Sequence, residues 1–386
     1  MTPDTSSVSS VDGSGSVSLS RVTQLATIVF CGVLPFVVVV SLFARAAQDD
    51  VVAVDFRQFY RAAETILAGE SPYSATGEPL TEWGGPYPYP PLPALVATPL
   101  TTVAMDTAGL LVMAALVVAV LATLVVLDVR DWRCYGFVLL WPPVISAIQT
   151  GNLTIWLALA CALAWRFRDR PRAVSASIGI TLAAKLFLWP LVVWLAATRR
   201  LVSAVFTCVT GGGLLLLSWA AVGFSGFAGY PDLLRTLEEA VGEDSYTAYI
   251  VALDLGASSG LARAIWLALG LALLAAVVLV ARRGAERSAF ILAIAAALAL
   301  TPIVWLHYFA LLVVVVALAQ PRLGVAWFVP LVMVVTPGSG HPSPFETFAT
   351  LMIAALTIAL ALLASREVQS ARQSFPLPRG VRPRVA

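Results

Sequence analysis

Three side chains in this sequence are at odds with their surroundings, and each has a chemical use. Asp55 precedes Phe56, Phe59, Tyr60, Ala63, Ile66 and Leu67, which recur at helical spacing while Arg57, Arg61 and Glu64 share the other face. This pattern predicts an amphipathic helix lying on a membrane or a helix bundle, stopped by Gly69. A carboxylate at its start has two readings: an N-cap for the free helix N–H groups, or a general base that takes a proton from a hydroxyl nucleophile. Lys185 is the only lysine beside 23 arginines and sits in the apolar run 174–197, which contains no acid. A buried ammonium is costly unless it meets a cavity, a counter-charge or a substrate path, and a phosphate is its natural partner. The alternative is snorkelling to an interface, if Pro190 breaks the run. His307, in Thr301-Pro302-Ile303-Val304-Trp305-Leu306-His307-Tyr308, reads either as a hydrogen-bonded core histidine or as a donor to substrate phosphate or sugar.

Other candidates are weaker. In Pro86-Tyr87-Pro88-Tyr89-Pro90-Pro91-Leu92-Pro93 the prolines enforce an extended path, and Tyr87 and Tyr89 either line a sugar site or belong to an interfacial aromatic belt. His341, in a Gly-Ser loop, has no specific role. Neither histidine has a partner at metal-ligand spacing, so no metal site is expected. Cys31, Cys134, Cys161 and Cys208 all lie in apolar runs, which argues against disulfides and zinc. There is no Walker loop, no dinucleotide fingerprint and no nucleophile elbow.

The elements that must position these residues are membrane helices. Of 386 residues, 59% are hydrophobic and 12% charged, against about 25% charged in soluble domains, and mean hydropathy is +0.88. The 24 basic and 22 acidic residues nearly balance, which gives no footing for nucleic-acid binding. The reading is an all-α polytopic membrane protein with roughly 10–12 transmembrane helices. Residues 1–21 are expected to be a disordered cytoplasmic tail, 22–365 the membrane domain and 366–386 a cytoplasmic tail. Apolar runs occur near 22–42, 91–104, 107–127, 134–148, 152–165, 174–197, 201–222, 263–281, 288–300, 303–319, 323–336 and 347–364. Several are short, and broken or re-entrant helices are expected among them. The glycines Gly211 to Gly213 read as helix packing.

Arginines at 166–172, 199–200, 282–287 and in the last stretch mark cytoplasmic segments by the positive-inside rule. The loop 45–90 holds three Arg against seven acids, and 223–262 one Arg against six, so both are placed outside. Alternation of every apolar run would put Arg166–Arg172 outside as well; half-spanning helices between 90 and 200 remove that conflict.

The chain resembles glycosyltransferase family 87, the polyprenol-phosphate-mannose-dependent α-(1→2)-mannosyltransferases. The resemblance rests on Asp55-Phe56-Arg57-Gln58-Phe59-Tyr60 through Gly69 and Pro72-Tyr73, Tyr89-Pro90-Pro91 with Pro99, Gly151-Asn152, Lys185 with Pro190 and Arg199-Arg200, and Thr301-Pro302 with Trp305 and His307-Tyr308. The chain departs from the family's pattern at Asn152, Leu186 and Tyr308. What the resemblance implies is a GT-C-type bundle with its active site outside the plasma membrane and Asp55 as catalytic base in the first outer loop. It implies inverting transfer of a hexose, mannose first, from a polyprenyl-phosphate sugar to an envelope glycolipid or glycan, with no further cofactor. Lys185 and His307 would then offset the phosphate charge, and Tyr60, Tyr87, Tyr89, Asn152 and Trp305 would bind substrate. The competing reading is a multi-pass transporter or lipid flippase, for which intramembrane charges and broken helices are equally expected.

Overall fold

The computed structural model describes residues 14–48, 52–73, 87–336 and 342–374, and these are helical with no strand among them. Helix α1 (Ser14–Ile28) passes through a π-turn at Val29–Val33 into α2 (Leu34–Ala46), one continuous apolar stretch. The predicted amphipathic helix is α3 (Val54–Leu67); it buries Phe56, Phe59, Tyr60, Ala62 and Ala63 against the bundle and stops at Gly69, whose φ is 80°. The short α4 (Pro91–Ala97), with a 3-10 turn at Thr98–Thr102, is followed by the full-length α5 (Met105–Val126). Next come α6 (Trp132–Val138), α7 (Pro142–Thr150) and α8 (Thr154–Arg166), the last two meeting at a 117° bend.

The run 174–197 is two helices, α9 (Pro171–Ala184) and α10 (Pro190–Ala197), separated by Lys185 in extended conformation and a 3-10 turn at Leu186–Leu188. Pro190 opens α10 at its first position and bars a continuous helix from α9. It has no N–H to give the carbonyl four residues back, and its ring clashes with that turn, so a helix cannot continue through it. Beyond lie α11 (Leu201–Ala221), α12 (Tyr230–Val241), α13 (Ala248–Asp254), α14 (Ser259–Arg282) and α15 (Glu286–Leu300). The chain closes with a 3-10 stretch at Leu306–Leu311 leading into α16 (Leu312–Ala319), then α17 (Val325–Phe328) with a 3-10 turn at Val329–Val335, and α18 (Pro344–Ser374). The disordered tails expected for 1–21 and 366–386 fall mostly outside the described residues, but helix begins at Ser14 and runs on to Ser374. His341 also lies outside them.

Among the described residues five helices are long and apolar enough to cross a membrane: Arg21–Ala46, Met105–Val126, Leu201–Ala221, Ser259–Arg282 and Pro344–Arg366. The shorter apolar helices sit among them, and α15 and α16 are buried along almost their whole length. Close approach depends on small residues where the paths cross. A Cβ on Gly211 would stand 3.2 Å from Leu182 and 3.3 Å from the Gly179 carbonyl, so α11 lies tightly on α9; Gly212 and Gly213 meet nothing within 4 Å and do not share that role. A Cβ on Gly136 would lie 1.7 Å from the Cys31 carbonyl oxygen, which fixes α6 against the first helix.

The bundle has two chemically different ends. At one, Arg200 pairs with Asp169 at 2.7 Å and with Glu286 at 2.6 Å, and Arg168 reaches Glu286 at 3.4 Å. Hydrogen bonding from Arg200 holds the Asp169 carboxyl below the ordinary range. These contacts gather the starts of α9 and α15 and the ends of α8 and α10. The opposite tips of the same four helices carry Lys185, Thr301, Asn152 and Leu186, all of which line one cavity. The break at Lys185 makes α9 and α10 a hairpin that returns the chain to the arginine end. Together with α4, which is too short to cross, this brings the Arg166–Arg172, Arg199–Arg200 and Arg282–Arg287 segments to the same end and removes the alternation conflict.

Candidate active site

A cavity of about 650 Å³ opens at the end remote from the arginines. Its polar wall comes from three widely separated stretches. Helix α3 supplies Asp55 and Gln58, the α7–α8 junction supplies Ser146, Thr150 and Asn152, and the segment from Thr301 to Tyr308 supplies Trp305 and His307. Lys185 enters from the α9–α10 break, and Tyr89 from the proline-rich segment. The apolar wall includes Leu186, Trp189, Leu234, Leu237 and Val241, the last three on one face of α12.

Asp55 is not the N-cap that the sequence suggests as one reading. Helix α3 begins a residue earlier, its cap position is Ala53 with φ 51°, and no side chain caps it. The Asp55 carboxylate instead accepts a 2.6 Å hydrogen bond at Oδ2 from Asn152 Nδ2, and His307 Nε2 stands 3.9 Å from the same oxygen. A tight backbone crossing permits this. Gly151, at φ 69°, ends α7, and a Cβ there would sit 2.9 Å from Ala53 Cβ and 2.8 Å from Phe56 Cβ. Only glycine brings Asn152 so close to α3.

Lys185 is hydrogen-bonded to the Tyr308 hydroxyl, and its Nζ lies 3.8 Å from that ring's centroid and 5.3 Å from the centre of Tyr89. It has no carboxylate within ion-pair distance among the described residues. His307 is 7% exposed, and its Nε2, like Thr150 Oγ1, is a buried polar atom without a hydrogen-bond partner in the described structure. Orphaned polar atoms lining a cavity are the groups a polar ligand satisfies.

Six of the eight site residues read from the sequence therefore converge on the cavity: Asp55, Tyr89, Asn152, Lys185, Trp305 and His307. Tyr60 and Tyr87 do not. Tyr60 donates its hydroxyl to the Val103 carbonyl at 2.8 Å, and Tyr87 donates to the Pro90 carbonyl at 3.1 Å while accepting from Ala94 N at 3.1 Å. Both are buried packing residues, because a buried phenol must find a partner and the backbone supplied it. Tyr73 completes that wall, stacked on Trp219 at 4.8 Å and bonded to the Tyr89 carbonyl at 3.0 Å. The sequence reading missed Gln58, Tyr308, and the second loop's Tyr230, Asp244, Tyr246 and the apolar face of α12. A signal existed for two of them: Gln58 is one helical turn beyond Asp55, and Leu233, Leu234, Leu237 and Val241 carry an amphipathic period through an acidic loop. No metal-binding group of His, Cys, Asp and Glu occurs among the described residues.

A family model described as glycosyltransferase family 87 matches residues 87–306, more than half of the chain. The matched stretch takes in Tyr89, Asn152, Lys185, α12 and Trp305, and it stops short of Asp55 on one side and His307 on the other. No curated protein and no solved structure matches the chain.

Proposed function

This chain belongs to glycosyltransferase family 87, and from that premise we propose that it transfers a hexose, mannose first, from a polyprenyl-phosphate sugar to a glycolipid or glycan acceptor of the cell envelope. The family sets aside the transporter reading. The observation that carries the proposal is the meeting of the Asp55 carboxylate, the Lys185 ammonium and a histidine whose Nε2 has no hydrogen-bond partner among the described residues, in a cavity with an apolar wall.

In this reading the acceptor hydroxyl lies against Asp55, which takes its proton as the oxygen attacks the anomeric carbon. The bond from that carbon to the phosphate oxygen breaks on the opposite face, so the configuration inverts. Polyprenyl phosphate leaves with the electron pair. Lys185, held by Tyr308 and with no carboxylate within ion-pair distance among the described residues, offsets the charge that builds on the departing oxygen. His307 Nε2 and Thr150 Oγ1 have hydrogen-bonding capacity left for the sugar or phosphate. The apolar face of α12 with Leu186 and Trp189 suits an isoprenoid chain.

Orientation follows from charge. The arginine end belongs in the cytoplasm by the positive-inside rule, which puts the cavity at the outer face of the plasma membrane, within a GT-C-type arrangement. The test is to reconstitute purified full-length protein in liposomes with polyprenyl-phosphate-mannose and mannoside, phosphoinositol-mannoside and lipoglycan acceptors. A new glycoside of inverted anomeric configuration supports the proposal. Absence of transfer from this donor, with transfer from a nucleotide sugar, overturns it.

A further inference from the structure

Asn152 lines the cavity, and both its amide oxygen and its amide nitrogen are bonded within the protein. Its Oδ1 accepts twice from Thr154, from the backbone N–H at 2.8 Å and from Oγ1 at 2.6 Å. A backbone N–H can only donate, so the atom facing Thr154 is the amide oxygen and the atom facing Asp55 is the amide nitrogen. That nitrogen donates to Asp55 Oδ2 at 2.6 Å. Asn152 and Thr154 are each 1% exposed, so water does not compete for either bond. The bond occupies one carboxylate oxygen. Oδ1 of Asp55 has no hydrogen-bond partner among the described residues, and the side chain keeps 22% exposure toward the cavity.

Among the described residues no other neighbour hydrogen-bonds the carboxylate. His307 stands beyond hydrogen-bond range at 3.9 Å. Arg57, the nearest cation on the same helix, bonds Asp106 at 2.7 Å and the Val52 carbonyl at 3.1 Å. Lys185 is held by Tyr308. Two buried residues on a different segment thus determine the rotation of the Asp55 carboxylate.

We propose that Thr154 and Asn152 are positioning residues that select Asp55 Oδ1 as the atom that receives the acceptor's proton. The proposal rests on the reading of Asp55 as base. Asn152 does not touch the reacting atoms; it holds Oδ2 so that the basic lone pair on Oδ1 is already aimed when the acceptor binds.

The test is steady-state kinetics on full-length protein in liposomes, with polyprenyl-phosphate-mannose and the acceptor that wild type uses. Thr154→Val removes one of the two donors at nearly constant volume. It should lower kcat about tenfold while both KM values and the unfolding temperature stay near wild type, and Thr154→Ser should restore kcat. Asn152→Asp keeps an acceptor for Thr154 but sets a second carboxylate against Asp55, and should lower kcat about 100-fold. A wild-type kcat in both Thr154→Val and Asn152→Asp, or a loss confined to KM, overturns the proposal. Asp55→Asn in the same assay separates the two layers. If it is inactive while the Thr154 and Asn152 variants turn over normally, the positioning role fails and the base reading stands. If Asp55→Asn keeps its turnover, the base reading fails and takes the positioning role with it.

Discussion

Lys185 and Tyr308, 123 positions apart in the chain, are joined by a hydrogen bond from the ammonium to the phenol inside the cavity. The pair holds a cation in place without neutralising it. A carboxylate partner would have satisfied the charge permanently; a neutral hydroxyl orients it and leaves it available to an anion.

Substitutions at this pair should therefore separate charge from placement. Lys185→Met is expected to lower turnover about 100-fold, with the main loss in use of the lipid-phosphate donor, and Lys185→Arg should retain part of the activity. Tyr308→Phe, which removes only the orienting oxygen, should cost about tenfold. Initial rates at varied donor and acceptor concentrations check all three. Donor use by the Met variant equal to wild type would place the phosphate site elsewhere.

Asp55→Asn should abolish transfer, lowering kcat about 1,000-fold, with donor binding unchanged. The amide oxygen can still accept from Asn152 Nδ2, so the local structure survives while the base is lost. Donor binding by equilibrium titration and turnover by product formation, measured on one preparation, distinguish this from unfolding.

Gly151→Ala is expected to damage the site from the backbone. Its φ of 69° costs a non-glycine residue about 1 kcal/mol, and the new methyl would press on Ala53 and Phe56 at under 3.0 Å. Asn152 then withdraws from Asp55. The check is a large fall in kcat with a drop of a few degrees in Tm for this variant, against little change for Gly212→Ala, where nothing lies within 4 Å.

Orientation is open to direct labelling. In a background with the exposed Cys208 replaced, a cysteine at Glu239 should react with an impermeant thiol reagent on intact cells and one at Ala285 should not. The reverse pattern would turn the molecule over and remove the basis for an outward-facing donor site.

The sequence revealed residues whose type has a chemical use where they stand. A lone lysine in an apolar run is costly without a use, an aspartate at a helix start and a histidine after a proline turn each have an ordinary structural reading beside a chemical one, and all three reach the cavity. Residue type did not reveal where a phenol points. Tyr60 and Tyr87 looked equivalent to Tyr89, yet their hydroxyls end on backbone carbonyls that no local pattern encodes. Tyr308 is not legible in the sequence because its value lies in meeting a residue from another segment. In the same way, Pro190 marks an interruption of the apolar run but does not show that the chain turns back at Lys185 and makes two helices of it.

The ion pairs around Glu286 have a mechanical consequence at the far end of the molecule. They tie together the feet of α8, α9, α10 and α15, whose heads carry Asn152, Lys185, Leu186 and Thr301. A helix the length of α9 spans about 21 Å, so a tilt of about 3° at the foot moves the head by about 1 Å, enough to cost about 100-fold in a positioned reaction. Loss of one carboxylate at Glu286 would thus be felt as misalignment between Asp55 and Lys185, two residues it never approaches, and the arginine-rich face serves the chemistry as the anchor of a set of levers.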